Sequence, residues 1–312
     1  MQNDKLACRR RRRARIHIMR TAAATTSSVA VSPCSTSTAR DDARQQPRAL
    51  RRRDFTLDVV GLAAFALAGP RTARAAPIDS GDFYAKWSYS QPSDIIPFVE
   101  ANATRGDPAS VLKAYDLWRE YYPQYSLGNE KTAKYAEVLR ARDPMTVVEI
   151  GTFLGYSAIS TGAGLREGGR MLCVEFEPRH ADVARWALDF ASLSDKVTVV
   201  TAAGSAAVGT VKDFVESVSG KGAGVDVLFL DHAKERYLPD LKLYEDANVV
   251  VRGTTVVADN VIYPGAPGWL EYVDSAAGRY DTRLIEAMFE YDQVWNENWE
   301  SQKDALSVSV KL

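Results

Sequence analysis

Cysteine and histidine are scarce in this 312-residue chain, at three of each. Cys8 and Cys34 lie in an arginine-rich N-terminal stretch and Cys173 stands by itself in the remainder, which excludes a disulfide framework or a thiolate metal site there. Long apolar runs are missing too. The stretch from Val59 to Ala68 is about ten residues, too short to cross a bilayer core of roughly 30 Å. The body also lacks positive charge. Residues 1–53 hold 13 arginines and Lys5 against Asp4, Asp41 and Asp42, a net of +11, so the overall −1 leaves the rest at −12. An acidic body argues against nucleic-acid binding, which needs a basic face.

What is present at the N-terminus reads as an address. Residues 1–50 are rich in Arg, Ser, Thr and Ala and poor in acids, as transit segments are. Arg51-Arg52-Arg53-Asp54-Phe55, the short apolar run and the small-residue site Ala73-Arg74-Ala75 follow in the order of a twin-arginine signal peptide. Together they resemble the two-part address of plastid proteins sent to the thylakoid lumen; a disordered basic tail is the alternative. Residues 1–75 are therefore expected to be a leader and residues 76–312 one domain.

From Asp107-Pro108, which opens a helix, the pattern alternates. Helices are expected to about Tyr122 and from Gly128 through Arg140. Strands follow at 145–150, 170–174, 197–201, 225–230 and 254–258, with helices from Tyr156, Pro178, Ser205 and Pro267 between and after them. Two last strands fall at 280–289 and 304–310. The expected fold is α/β, a Rossmann-like, seven-stranded, mostly parallel sheet with helices on both faces.

In such sheets ligands bind outside the carboxyl ends of the strands. Asp231-His232-Ala233-Lys234 follows one strand and Asp259-Asn260 the next. Asp231, Asp259 and Asn260 offer three oxygens, few enough to leave waters or a substrate to complete an octahedral Mg²⁺; a helix cap and a tight turn are the plain alternatives. Lys234 beside a cation would serve as a base, although most lysines are simply solvated. His232 could touch a ligand or make a structural hydrogen bond. His180 reads as a surface helix residue and Cys173 as strand core. Glu149-x-Gly151-x-x-x-Gly155 lacks the third glycine of the dinucleotide fingerprint, which favours a nucleoside without phosphates over a nicotinamide cofactor. Its glycines would let a ligand approach and the following helix would offer unpaired N–H groups. Glu175, ending the second strand, could accept hydrogen bonds from a ribose diol.

Phe229-Leu230-Asp231-His232-x-Lys234-x-Arg236-Tyr237-Leu238-Pro239-Asp240, then Ala258-Asp259-Asn260-Val261-Ile262-x-Pro264-Gly265, resembles the catechol O-methyltransferase family. Gly106-Asp107-Pro108-x-Ser110-Val111-Leu112 and Glu149-x-Gly151-x-x-x-Gly155-Tyr156-Ser157 agree, and the match runs in order from about Pro97 to Tyr291. The resemblance implies a class I methyltransferase fold using S-adenosylmethionine, with Mg²⁺ chelating a catechol-type vicinal diphenol. Asp231, Asp259 and Asn260 would hold the metal, Lys234 would deprotonate the attacking hydroxyl, and Glu290 would accept the second one. Glu175 would bind the cofactor ribose, and Glu149, Phe153 and Ser157 its methionine side. Leu127, Gly151, Phe176, Ser205, Asp231 and His232 would complete the cofactor contacts.

The chain also departs from that family. Ala233 stands where the family has Trp, Pro123-Gln124-Tyr125 replaces Trp-Ala-Met, and Gly204-Ser205 replaces the Ser-Gln pair that reads the adenine. The tail after Tyr291 is longer, with Trp295 and Trp299. A caffeoyl-type acceptor, a catalytically lapsed cofactor-binding protein and a nicotinamide dehydrogenase are the competing readings. The expected working form is a monomer acting on a small phenolic molecule, with no nucleic acid and no membrane span in the mature chain.

Overall fold

The computed structural model describes residues 90–122, 124–274, 278–290 and 302–312. The expected leader, its address and the tail tryptophans lie outside the described residues.

Three helices come first: α1 (Ile95–Asn102), α2 (Pro108–Arg119) and α3 (Gly128–Arg142). Asp107 caps α2, its carboxylate accepting from the amides of Ala109 and Ser110, and Pro108 occupies the first position, where its missing N–H costs nothing. Strands and helices then alternate. They are β1 (Thr146–Ile150), α4 (Tyr156–Gly164), β2 (Arg170–Glu175), α5 (Pro178–Phe190), β3 (Val197–Thr201), α6 (Val208–Ser219), β4 (Val227–Leu230), α7 (Tyr237–Asp246), β5 (Thr255–Ala258) and α8 (Trp269–Val273). A hairpin of β6 (Tyr280–Met288) and β7 (Lys303–Lys311) ends the chain. The sheet order is β3-β2-β1-β4-β5-β7-β6, parallel from β3 to β5 and antiparallel around β7.

Alternation along the central strands divides the core in two. Val147, Cys173, Phe229 and Val257 face the layer built by α1 to α5, while Val148, Leu172, Leu228 and Val256 face the layer of α6 to α8. Cys173 is strand core, as its place in the sequence suggests. The ring of Tyr135 on α3 stacks on Phe229 with centroids 4.5 Å apart, which ties that helix to the sheet centre.

Register places the functional ends level with one another. Asp226 accepts from the amides of Met145 (2.8 Å) and Thr146 (3.0 Å), fixing the starts of β1 and β4. Ile150 then pairs with Leu230, and Leu230 with Ala258, so that Gly151, Asp231 and Asp259 leave the sheet side by side.

Boundaries differ from the sequence expectation where a single residue forbids helix. The helix expected at Pro267 starts at Trp269, because Gly268 has φ +69°. The one expected from Ser205 begins as a short 3₁₀ turn at Gly204–Ala206, where the hydroxyl of Tyr244 donates to the Gly204 carbonyl (2.7 Å). The one expected from Pro178 ends at Phe190, with Ser192 left-handed at φ 57°.

Replacing Phe229 by Ala removes a fully buried ring between α3 and the sheet. The substitution is expected to cost about 3–5 kcal/mol of unfolding free energy, measured by urea denaturation; a loss below about 1 kcal/mol would contradict the packing described.

Candidate functional site

The turn after β1 is closed from inside the protein. Glu175 takes the amides of Thr152 (3.2 Å) and Phe153 (2.8 Å) on one carboxylate oxygen and that of Glu177 (2.9 Å) on the other. These two amides belong to the turn that precedes the helix at Tyr156, and a neighbouring strand end consumes them. That pull holds Phe153 at φ 48°, a left-handed conformation unusual for a bulky residue. Gly151 has a steric duty that its motif does not show. A Cβ there would stand 2.5 Å from the Asp231 carbonyl oxygen and 2.9 Å from the Cα of His232, so the adjoining strand end itself requires glycine.

Glu149 lies directly beneath this turn and is fully buried. It accepts hydrogen bonds from the hydroxyls of Ser157 and Thr152 and a weaker one from the Cys173 thiol. Burial nevertheless pushes its carboxyl up to about 7, with the charge of Asp231 adding to the rise against the hydroxyls that lower it.

On the opposite wall, Lys234 Nζ donates to Asp231 Oδ1 (2.9 Å) and to the Tyr237 hydroxyl (2.7 Å). His232 is held through Nε2 against buried Asp240 (3.1 Å), which also pairs with Arg236, while its Nδ1 is buried without a hydrogen-bond partner.

Asp259 and Asn260 belong to a deeper cluster. Lys131 on α3, 1% exposed, sits among three carboxylates: its Nζ is 2.8 Å from Asp259 Oδ1, 2.5 Å from Glu290 Oε2 and 2.5 Å from Asp304 Oδ2. Burial opposes the ammonium charge, but Asp259, Glu290 and Asp304 together hold its pKa above that of an ordinary lysine. Asp304 is held below the usual carboxylate range by Lys131 despite burial, and Asp259 is driven well above it by burial and then by Asp231 and Glu290. Asn260, left-handed at φ 56°, donates its amide nitrogen to Glu290 (3.0 Å) and Asp304 (2.9 Å), turning its oxygen away from them. Glu290 therefore has both oxygens engaged.

A cavity of about 660 Å³ opens between the two walls. Leu127, Gly151, Phe153, Ser157, Glu175, Phe176, Ser205, Asp231, His232, Lys234 and Asn260 all line it, as the sequence reading expects of site residues. Glu149, Asp259 and Glu290 do not; they stand buried behind the lining residues.

Against known proteins, an O-methyltransferase family model matches residues 117–286. Catechol O-methyltransferase of Bos taurus is 37% identical over 210 residues, covering 66% of this chain and 74% of that one. Catechol O-methyltransferase B of Danio rerio is 35% identical over 228 residues, 72% of this chain and 80% of that one. The chain belongs to the O-methyltransferase family. Solved structures agree in fold. An O-methyltransferase of Bacillus cereus in complex with SAH superposes with TM-score 0.52 at 20% identity, over 70% of this chain and 94% of that one. One from Streptomyces achromogenes, solved with SAM, gives 0.51 at 20% identity, over 72% and 99%.

Several residues that shape the site of this methyltransferase left little mark on its sequence. Lys131 and Asp304 look like a surface helix lysine and a strand-edge acid until the fold brings them together. His180, read as a surface residue, is half-buried, its ring 4.5 Å from that of Phe153 and its Nδ1 3.6 Å from Glu175. The alternation of charged and apolar residues along α5 gives no hint of this.

The raised Glu149 carboxyl has a measurable consequence. Its folded pKa of about 7 lies above the ordinary 4.5, so the folded protein keeps a proton that the unfolded chain releases between those values. Stability of the ligand-free protein is expected to fall as pH rises from about 4.5 to about 7. Thermal melts of Glu149→Gln should show a shallower decline over that window; an identical decline would contradict the assignment.

Proposed function

We propose that this methyltransferase transfers the methyl group of S-adenosylmethionine to one hydroxyl of a catechol-type vicinal diphenol, with Mg²⁺ as its metal. The observation that carries the reading is that Asp231, Lys234 and Asn260 line the same cavity as the turn from Gly151 to Ser157. The relatives named catechol O-methyltransferase support the acceptor class.

The residues fit a hard cation. Asp259 Oδ2 is buried without a hydrogen-bond partner, Asn260 has its amide nitrogen committed elsewhere, and Asp231 lies partly open to the cavity. Asp231, Asp259 and Asn260 would hold Mg²⁺, an oxygen set this ion accepts alongside water or substrate oxygens. When bound, the ion would lower the pKa of the diphenol hydroxyls and fix their oxygens.

The protein's own groups divide the remaining work. Glu175, Phe176, Ser205 and His232 would bind the nucleoside, and Leu127, Phe153 and Ser157 the methionine side, with Glu149 acting through Ser157. Lys234 Nζ would take the proton of the attacking hydroxyl as the new O–CH₃ bond forms and the S–CH₃ bond breaks. The Tyr237 hydroxyl and Asp231 fix where that nitrogen stands. Pro264 and Phe289 would wall the acceptor, so that positioning supplies much of the rate. Glu290, which orients the Asn260 amide, would accept the acceptor's second hydroxyl.

A bulkier, caffeoyl-type diphenol is the second reading, favoured by Ala233, which lines the cavity with a methyl group where an aromatic wall would narrow it.

Asp231→Ala is expected to lower Mg²⁺-dependent turnover of a catechol by about 100-fold or more. Product formation followed by chromatography across a Mg²⁺ titration measures it. Full activity in that variant would sink the proposal.

A further inference from the structure

We infer that Lys131 is the resident cation of the deep carboxylate nest, and that its presence confines the divalent ion to the outer ligands Asp231, Asp259 and Asn260. The inference rests on the metal reading above and adds a residue that determines where the ion sits.

Three carboxylates, from Asp259, Glu290 and Asp304, converge so closely that ligand oxygens of all three lie within 4.8 Å of one another, each residue nearly or fully buried. Such a nest would attract a hard cation strongly. Its centre is already taken by an ammonium group within 2.8 Å of every member. The nest does not satisfy all its oxygens, since Asp259 Oδ2 stays buried and without a hydrogen-bond partner. Asp259 thus belongs to both places: one oxygen faces Lys131 inside and the other is left for the outer site. Asn260 repeats the arrangement, with its nitrogen given to Glu290 and Asp304 inside and its oxygen free for the outer site.

Charge decides the consequence. With Lys131 in place the nest holds one positive group against three acids, and a second, divalent cation there would meet a buried like charge a few ångströms away. Without Lys131 the same oxygens form a cage deeper and more acidic than the outer site. Glu290 and Asp259, now drawn around the ion, would no longer hold Asn260 and the acceptor wall in their working positions. Lys131 is therefore a positioning residue, acting through Asp259, Glu290 and Asn260 rather than touching substrate.

The test is calorimetric titration of the full chain with Mg²⁺ alone, for the wild type, Asp231→Ala, Lys131→Met and the double variant. Wild type should bind with an affinity that Asp231→Ala weakens. Lys131→Met should bind at least about tenfold more tightly, and adding Asp231→Ala to it should change that affinity by less than about threefold. Catechol turnover by Lys131→Met should fall although it is saturated with Mg²⁺, separating metal occupancy from activity. If Lys131→Met does not fold, Lys131→Met/Asp304→Asn, which loses one charge of each sign, takes its place and should still bind Mg²⁺ at least about tenfold more tightly than wild type. Unchanged affinity on losing Lys131, or undiminished dependence on Asp231, overturns the inference. Failure of the wild type to bind Mg²⁺ overturns instead the metal reading on which it rests.

Discussion

Burial of the Lys131 ammonium among Asp259, Glu290 and Asp304 is the interaction on which the rest of this site depends. Removing either sign of charge would leave the other uncompensated in the interior, at a cost of roughly 3–5 kcal/mol for a broken buried pair. The four residues come from distant parts of the chain: α3, the end of β5, and the two arms of the β6–β7 hairpin. Their pairing therefore joins the antiparallel hairpin to the parallel sheet and seats α3 over the junction. It also explains why a left-handed asparagine is tolerated next door, since Asn260 donates to two of the same carboxylates.

The two walls of the cavity are built on different physical grounds. One side is backbone geometry: a tight turn tied down by Glu175 and made possible by a glycine that a neighbouring strand end touches. The opposite side is charge: Asp231 with Lys234 at the surface of the cavity, and the lysine-centred nest below it. Level strand ends bring the two together, and that levelness traces to Asp226 and the parallel register at the far edge of the sheet. The two walls thereby meet at a shared rim.

The alternation of strands and helices, the seven strands and the rim motifs were legible because each depends on local pattern. Val, Ile and Phe runs make buried strands wherever they occur, and Asp231, Lys234, Asp259 and Asn260 follow their strands directly. What stayed hidden depends on contacts between different elements of the fold. Nothing near Lys131 announces that Glu290 and Asp304 will surround it. The steric need for Gly151 was hidden, because its neighbour in space is the Asp231–His232 backbone and the motif describes only its neighbours in sequence. Glu175 lines the cavity, yet its hold on the amides of Thr152 and Phe153 is visible only once β1 and β2 lie side by side.

The measurement that bears most directly on this account is methyl transfer by the full chain from S-adenosylmethionine to a small panel of vicinal diphenols and matched monophenols, with Mg²⁺ or with excess chelator. The site described here predicts methylated diphenol in the presence of Mg²⁺, little product from the monophenols, and loss of turnover with chelator. Diphenol methylation that persists in chelator, or monophenols methylated as readily as diphenols, would contradict it.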